Sequence, residues 1–254
     1  MSSNFPVFTQ TFHSSVYPAI DPTNDKLSAS GKVVVVTGGS RGIGRAIGLA
    51  FATAGARAII PLGRTSSTLR HVSEDILAAA TANGHETVVK AFTVDVSDAS
   101  AVAKTFESIQ KEFDHIDVLV SNAGDLYKST IGDCDTSAFE NTFKINVNGT
   151  LNCMHALVHF GRGNDPQRAT TFINLTTIGI AMPGFPGWAA YAGSKLAAFR
   201  MVECFKAEVG DQVRVFSINP GHVATDMSKK AGVPCSDDAG KCSELQSEAG
   251  AFDL

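Results

Sequence analysis

Tyr191 and Lys195 stand four residues apart in the run Tyr191-Ala-Gly-Ser-Lys195. Positions i and i+4 of a helix lie on one face, so the phenol and the ammonium can act together. An ammonium beside a phenol favours the phenolate and draws the hydroxyl below its usual pKa of about 10. A tyrosine tuned in that way can pass protons near neutral pH. Many helices carry this spacing without doing chemistry, so the pair takes its meaning from what precedes it. The run Thr37-Gly-Gly-Ser-Arg-Gly-Ile-Gly44 supplies a second kind of chemistry. Its glycines allow a tight turn and a close backbone approach. The helix they open offers free N–H groups and a positive dipole to a pyrophosphate. The plain alternative is a structural turn, but this one lies between a valine run and an amphipathic segment.

In a dinucleotide-binding unit the adenine-side ribose sits near the end of the second strand. NAD sites place a carboxylate there, whereas an arginine accommodates a 2′-phosphate. The segment is Pro61-Leu-Gly-Arg64-Thr65, with no acidic residue, and Arg41 lies in the glycine turn itself. Two cations without a carboxylate point to NADP(H). The competing reading of Arg64 is a solvated surface charge.

The elements that must position these groups follow a strand–helix alternation. The four-valine run 33–36 has the continuous β-branched character of a strand buried on both faces. Helical patterns cover 45–54, 67–82, 100–113, 137–160 and 188–209; strand patterns cover 58–60, 87–94, 116–120, 170–175 and 213–218. Such alternation implies a single doubly wound α/β domain with a parallel sheet. Residues 1–30 read as an irregular arm and 31–254 as the domain. Apolar residues make up 44% and charged residues 18% of 254, as in a globular protein with one sizeable core. A net charge of -4 excludes a nucleic-acid binder that works by displacing counterions. No apolar run approaches the roughly 20 residues that span a bilayer. Five scattered cysteines form no metal or redox motif, and no secretory signal is evident, so a cytoplasmic location is expected.

Taken in order, these motifs resemble those of the short-chain dehydrogenase/reductase family over residues 31–225. Gly38, Ser40, Arg41, Gly42, Ile43 and Gly44 correspond to its glycine turn. Asp95-Val96 resembles its adenine-contacting pair, and Asn122-Ala123-Gly124 its Asn-Ala-Gly motif. Asn146 resembles the asparagine that supports a proton-relay water. Tyr191 and Lys195 match its Tyr-x-x-x-Lys pair. Asn219-Pro220-Gly221 with Val223 and Thr225 resembles the segment holding the nicotinamide. Each has a plain alternative: Asp95 a helix cap, Asn146 a residue satisfying buried backbone groups, Asn122 and Gly124 turn chemistry.

The resemblance implies a Rossmann-type fold and hydride transfer between NADP(H) and a small carbonyl or alcohol substrate. Tyr191 would be the acid/base, Lys195 would lower its pKa and bind the ribose, and Arg64 would meet the 2′-phosphate. It also implies a homodimer through helices 137–160 and 188–209. Two departures qualify it. The family places a serine 13 residues before the tyrosine, where this chain has Ile178. One extra residue in the loop 182–187 would bring Thr177 to that place, with Thr176 as runner-up. After Thr225 the chain is short and polar, so the last edge strand is expected to be missing or altered, with the sheet ending at six strands. Met182, Pro183, Phe185, Pro186 and Trp188 suggest a hydrophobic or aromatic substrate. An isomerase, cyclase or lyase without net redox turnover is the alternative, and a non-catalytic NADP-binding protein a third. No metal is expected.

Overall fold

The computed structural model describes residues 15–163, 168–182 and 184–232. Its centre is β1 (Val33–Thr37), every residue of which is buried. β1 pairs in parallel with β2 (Ala58–Gly63) on one side and β5 (Val118–Ser121) on the other. β6 (Thr170–Leu175) and β7 (Val213–Ile218) extend the sheet beyond β5. β3 (Val88–Val89) and β4 (Phe92–Thr93) both pair with β2 on the other side. The order β3-β2-β1-β5-β6-β7, with β4 also on β2, is that of a doubly wound Rossmann-type sheet.

The period of two along β1 explains its composition. Val33 and Val35 enter one core cluster, Val34 and Val36 the other. α1 (Gly42–Thr53) and α2 (Ser66–Ala82) cover the second face through Ala52, Val72 and Ile76. α3 (Ala99–Phe113) covers the first through Val102, Phe106 and Ile109. Fully burying one such aliphatic side chain contributes about 1.5–3 kcal/mol, so a strand apolar on both faces belongs at the centre.

The sheet has seven strands rather than six because the expected strand 87–94 is broken. Ile59 O accepts from Lys90 N and Gly63 O from Val94 N, so odd-numbered residues of β2 face this neighbour. By that parity Pro61 faces it too and offers no N–H. Pairing lapses opposite Pro61, between β3 and β4.

The helical segment expected over 137–160 is continuous but not uniform. α4 (Thr136–Phe143) passes into a π-helical stretch, Lys144–Asn148, then α5 (Gly149–Ala156) and a second π-helical stretch, Leu157–Gly161. α6 (Ala189–Val209) follows β6, and the short α7 (Asp226–Lys230) follows β7. The arm is not wholly irregular. A 3-10 turn at Asp25–Leu27 leads to Ala29, whose N–H meets Ala54 O at 2.8 Å, and Ser30 bridges to Ala56. Among the described residues no strand lies beyond β7, and no helix is long and apolar enough to cross a membrane. The expectation for 233–254 and the residue Pro183 lie outside the described residues.

Candidate active site

The strand ends carry the site. Thr37 closes β1, and its Oγ1 accepts from Asn122 N at 3.0 Å and Ala123 N at 2.9 Å. Asn122 Nδ2 donates in return to Thr37 O at 2.9 Å and Gly38 O at 3.2 Å. The glycine turn is thereby pinned to the end of β5. Gly44 is obligatory, because a Cβ there would stand 2.3 Å from Gly38 O and 2.6 Å from Asn122 Nδ2. Thr37 was not among the residues singled out from sequence; only its position before the glycines hints at its role.

α1 begins at Gly42, three residues earlier than the pattern suggests, so the turn itself forms its first coil. Its N-cap, Arg41, makes no side-chain capping bond, which leaves the leading amides without a side-chain acceptor. A cavity runs from these amides in both directions. Arg64, Asp95 and Val96 line one end; Gly124, Tyr191, Lys195, Pro220 and Thr225 line the other, with Gly38, Ser40, Arg41, Ile43, Asn122 and Ala123 between. Leu62, Ile145, Asp226 and Met227 also line it and carry no sequence signature of their own. Thr176 lines it too, and its buried Oγ1 has no hydrogen-bond partner. Helix-start amides, two arginines and an orphaned hydroxyl thus line one cavity.

Asp95 is held below the usual carboxylate range. Burial works against that direction, while hydrogen bonds from the Ser97 backbone and side chain and the charge of Arg64 outweigh it. Gly221 has φ +73°, and Asn219 Oδ1 accepts from its N–H at 3.3 Å. Val223 is half-exposed, and its carbonyl accepts from Ser228 Oγ at 3.0 Å. Gly221 and Val223 thus belong to the rim of the cavity rather than its lining.

Asn146 sits inside the first π-helical stretch, buried. Its Oδ1 accepts from Asp125 N at 2.8 Å, and its Nδ2 donates to Asp125 O and Ser194 Oγ, both at 2.9 Å. Ser194 Oγ in turn donates a hydrogen bond to the backbone carbonyl of Tyr191 at 2.8 Å. Ser194, wholly buried between the two helices, is a positioning residue that the sequence reading passed over, although it lies inside the Tyr-x-x-x-Lys run.

Tyr191 occupies the first turn of α6, and the Thr177 side chain lies beside its hydroxyl and acts on it electrostatically. The extended backbone at Thr177, φ -145° and ψ 150°, suits a β-branched residue. Ile178 points elsewhere, opening a 3-10 turn with its side chain exposed. The structure therefore brings together Tyr191 and Thr177, one residue further apart than the family spacing.

The electrostatics depart from the sequence expectation. Burial pushes the Tyr191 phenol above its ordinary range, and the Thr177 side chain only moderates the rise. Lys195 does not draw it down. Its ammonium is buried, directed to Leu175 O at 2.8 Å, and pushed down to about 8 by desolvation. Packing thus outweighs proximity in the protein alone. A Cβ on Gly124 would lie 3.2 Å from Asn146 Oδ1 and 3.6 Å from Lys195 Nζ, so Gly124 is the small residue around which the two gather.

A family model described as short chain dehydrogenase matches residues 32–234. The chain is 34% identical over 230 residues to the short chain dehydrogenase mpl6 of Monascus purpureus, covering 89% of this chain and 76% of that protein. It is 31% identical over 207 residues to versicolorin reductase 1 of Aspergillus parasiticus, covering 80% and 74%. Among solved structures, a short chain dehydrogenase from Shigella flexneri 2a complexed with NADP superposes with a TM-score of 0.72 at 26% identity, covering 84% of this chain and 86% of that one.

Proposed function

Because the chain belongs to the short-chain dehydrogenase/reductase family, whose members use a nicotinamide cofactor, we propose that it is an NADPH-dependent reductase of a hydrophobic or aromatic carbonyl compound. The observation that carries this reading is Tyr191, with the Thr177 side chain beside it, together with Lys195 lining the cavity that begins at the α1 amides. The likeness to a versicolorin reductase and to a dehydrogenase complexed with NADP supports both halves of it. Arg41 and Arg64 at the cavity, with Gly63-Arg64-Thr65 in place of a carboxylate after β2, support a 2′-phosphorylated cofactor.

The bound dinucleotide would supply the hydride to the carbonyl carbon. Tyr191 would give its hydroxyl proton to the carbonyl oxygen, and Thr177 would donate to the same oxygen as charge develops there. Burial keeps the phenol protonated at neutral pH, which suits an acid in the reducing direction. Lys195 would hold the ribose, and Asn146, fixed by Asp125 and Ser194, would carry the path by which Tyr191 regains its proton. Asp95 and Val96 would meet the adenine; Pro220, Gly221, Val223 and Thr225 would border the nicotinamide.

In this reading residues 31–254 would form one folding unit preceded by the arm 1–30, located in the cytoplasm. α5 and α6 would pair with a second copy: Leu151, Val158 and Leu196 are exposed apolar side chains on these helices and the π-helical stretch between them. The decisive experiment is NADPH oxidation, followed by absorbance, against a panel of aromatic ketones and aldehydes. Tyr191→Phe should lower kcat by about a hundredfold or more, the scale of a lost general acid. Substrate conversion without NADPH consumption would instead establish the isomerase, cyclase or lyase class.

A further inference from the structure

Three segments meet at Lys128, beside the start of α6 that carries Trp188 and Tyr191. Lys128 belongs to the loop after β5, and Ser129 N donates to Gly187 O at 3.0 Å, joining that loop to the turn before α6. The Lys128 ammonium stands 5.5 Å over the Trp188 ring and donates to Ala231 O, at the end of α7, at 3.4 Å. Trp188 in turn meets the Tyr191 ring edge-on at 6.0 Å. Neither Lys128 nor Trp188 lines the dinucleotide cavity. Among the described residues no carboxylate pairs with Lys128.

We propose that Lys128 is a specificity-determining residue that selects substrates bearing a carboxylate or similar oxyanion about one aromatic ring away from the reacting carbonyl. A carbonyl oxygen placed at the Tyr191 and Thr177 hydroxyls leaves the rest of the substrate against Trp188, whose indole offers a flat apolar wall. The ammonium lies beyond that wall, and the two legs of 6.0 and 5.5 Å bound its distance from the phenol ring. An ammonium has three donors, and among the described residues only one is engaged, at long range. The remaining donors can meet an anion, while the indole face holds the cation in place. A neutral substrate would gain the wall but not the charge-assisted bond. This assignment rests on the reading of Tyr191 as the proton donor.

The test uses the full chain with NADPH and two aldehydes of matched shape, 4-formylbenzoate and its methyl ester. The protein should favour the anion in kcat/KM. That preference should fall about fivefold in Lys128→Met, the scale of one accessible charge pair, return in Lys128→Arg, and shrink with added salt. No preference for the anion, a preference that survives Lys128→Met, or equal losses for both aldehydes would each overturn the assignment; the last would make Lys128 a latch between loop and α7. Trp188 is the only tryptophan, so its emission reports binding without turnover. Titrated with benzoate, Lys128→Met should bind about fivefold more weakly, and equal affinity overturns the proposal. If neither aldehyde is reduced, the reductase reading fails on those substrates while the emission titration still decides the role of Lys128.

Discussion

Replacing Thr177 by valine separates hydrogen bonding from shape. The two side chains are close in volume, and the extended backbone at this position accepts either. The variant loses the hydroxyl beside the Tyr191 phenol and the acceptor for Gly179 N at 3.2 Å. Gly179 is partly exposed, so water replaces that second bond and the fold should lose no more than about 1 kcal/mol. The kinetic loss is larger, because an oxygen donor aimed at developing charge is worth about 2.7–4 kcal/mol, or a hundred- to a thousandfold in kcat. A pH signature accompanies it. Burial raises the Tyr191 phenol and Thr177 lowers it, so removing Thr177 leaves the rise unopposed. Reduction needs the protonated phenol, so the alkaline limb of the rate profile should move to higher pH. Thr177→Ser keeps the oxygen and should restore most of the rate. Thr176→Val breaks no bond, because Thr176 Oγ1 has no partner among the described residues, and should leave the alkaline limb in place. Steady-state NADPH oxidation from pH 6 to 10 measures all three. A Thr177→Val enzyme within about threefold of the parent kcat, with an unmoved alkaline limb, would refute the role argued for this hydroxyl.

Replacing Arg41 and Arg64 together by alanine should weaken NADPH about tenfold or more while changing NADH far less, since charge-assisted bonds are worth about 1.5–3 kcal/mol each; calorimetric titration of both dinucleotides checks it. Lys195→Met should raise the melting temperature of the cofactor-free protein at pH 7. A lysine held near 8 when folded and 10.5 when unfolded costs stability below about pH 8, and that cost fades as pH rises toward 10.5, so the gain should shrink at pH 10. Asp117, 1% exposed, accepts from Val33 N at 2.8 Å and pairs with Arg168 at 2.7 Å. Its pKa is lowered: burial opposes this, but the Val33 and Arg168 bonds and the charges of Arg168 and Lys32 prevail. A depressed carboxylate lends stability above its unfolded value of about 3.8 and loses it as pH falls through the folded value. Asp117→Ala should therefore cost about 3 kcal/mol at neutral pH by denaturant unfolding, and less as the medium is acidified. Equal costs at pH 7 and pH 3 would show that the pair contributes only packing.

The fold was legible where one physical demand acted along a short stretch. Four valines in a row have few places to go other than the centre of a sheet covered on both faces, and β1 is buried at each of them. The glycine turn was legible for a similar reason, because a Cβ at Gly44 collides with backbone wherever the rest of the chain lies. What escaped notice depends on contacts between distant segments. The break between β3 and β4 comes from Pro61, a residue of the neighbouring strand. The π-helical stretch at Lys144–Asn148 turns Asn146 toward Asp125 and Ser194, and periodicity alone cannot distinguish it from an α-helix.

The site shows the same division between residue identity and electrostatic sign. Tyr191 and Lys195 line one cavity, the Thr177 side chain lies beside Tyr191, and Asn146 and Lys195 both approach Gly124; the i,i+4 spacing suggested the first pair, and only the family resemblance suggested Asn146 and Thr177. The direction of the Tyr191 shift was not legible, because i,i+4 proximity promises attraction while burial taxes every charged form. Here both partners respond to burial: the phenol rises, and the ammonium falls to about 8 with only the Leu175 carbonyl as hydrogen-bond acceptor. Each shift favours the uncharged form; the phenol is uncharged at neutral pH in any case, so in the protein without cofactor only the Lys195 ammonium is held at a cost. A phosphorylated dinucleotide carries negative charge into the cavity that Lys195 lines, and opposite charge favours the ammonium. On the proposed reading, binding would relieve the cost at Lys195 and so tie cofactor capture to the charge state of the group beside Tyr191.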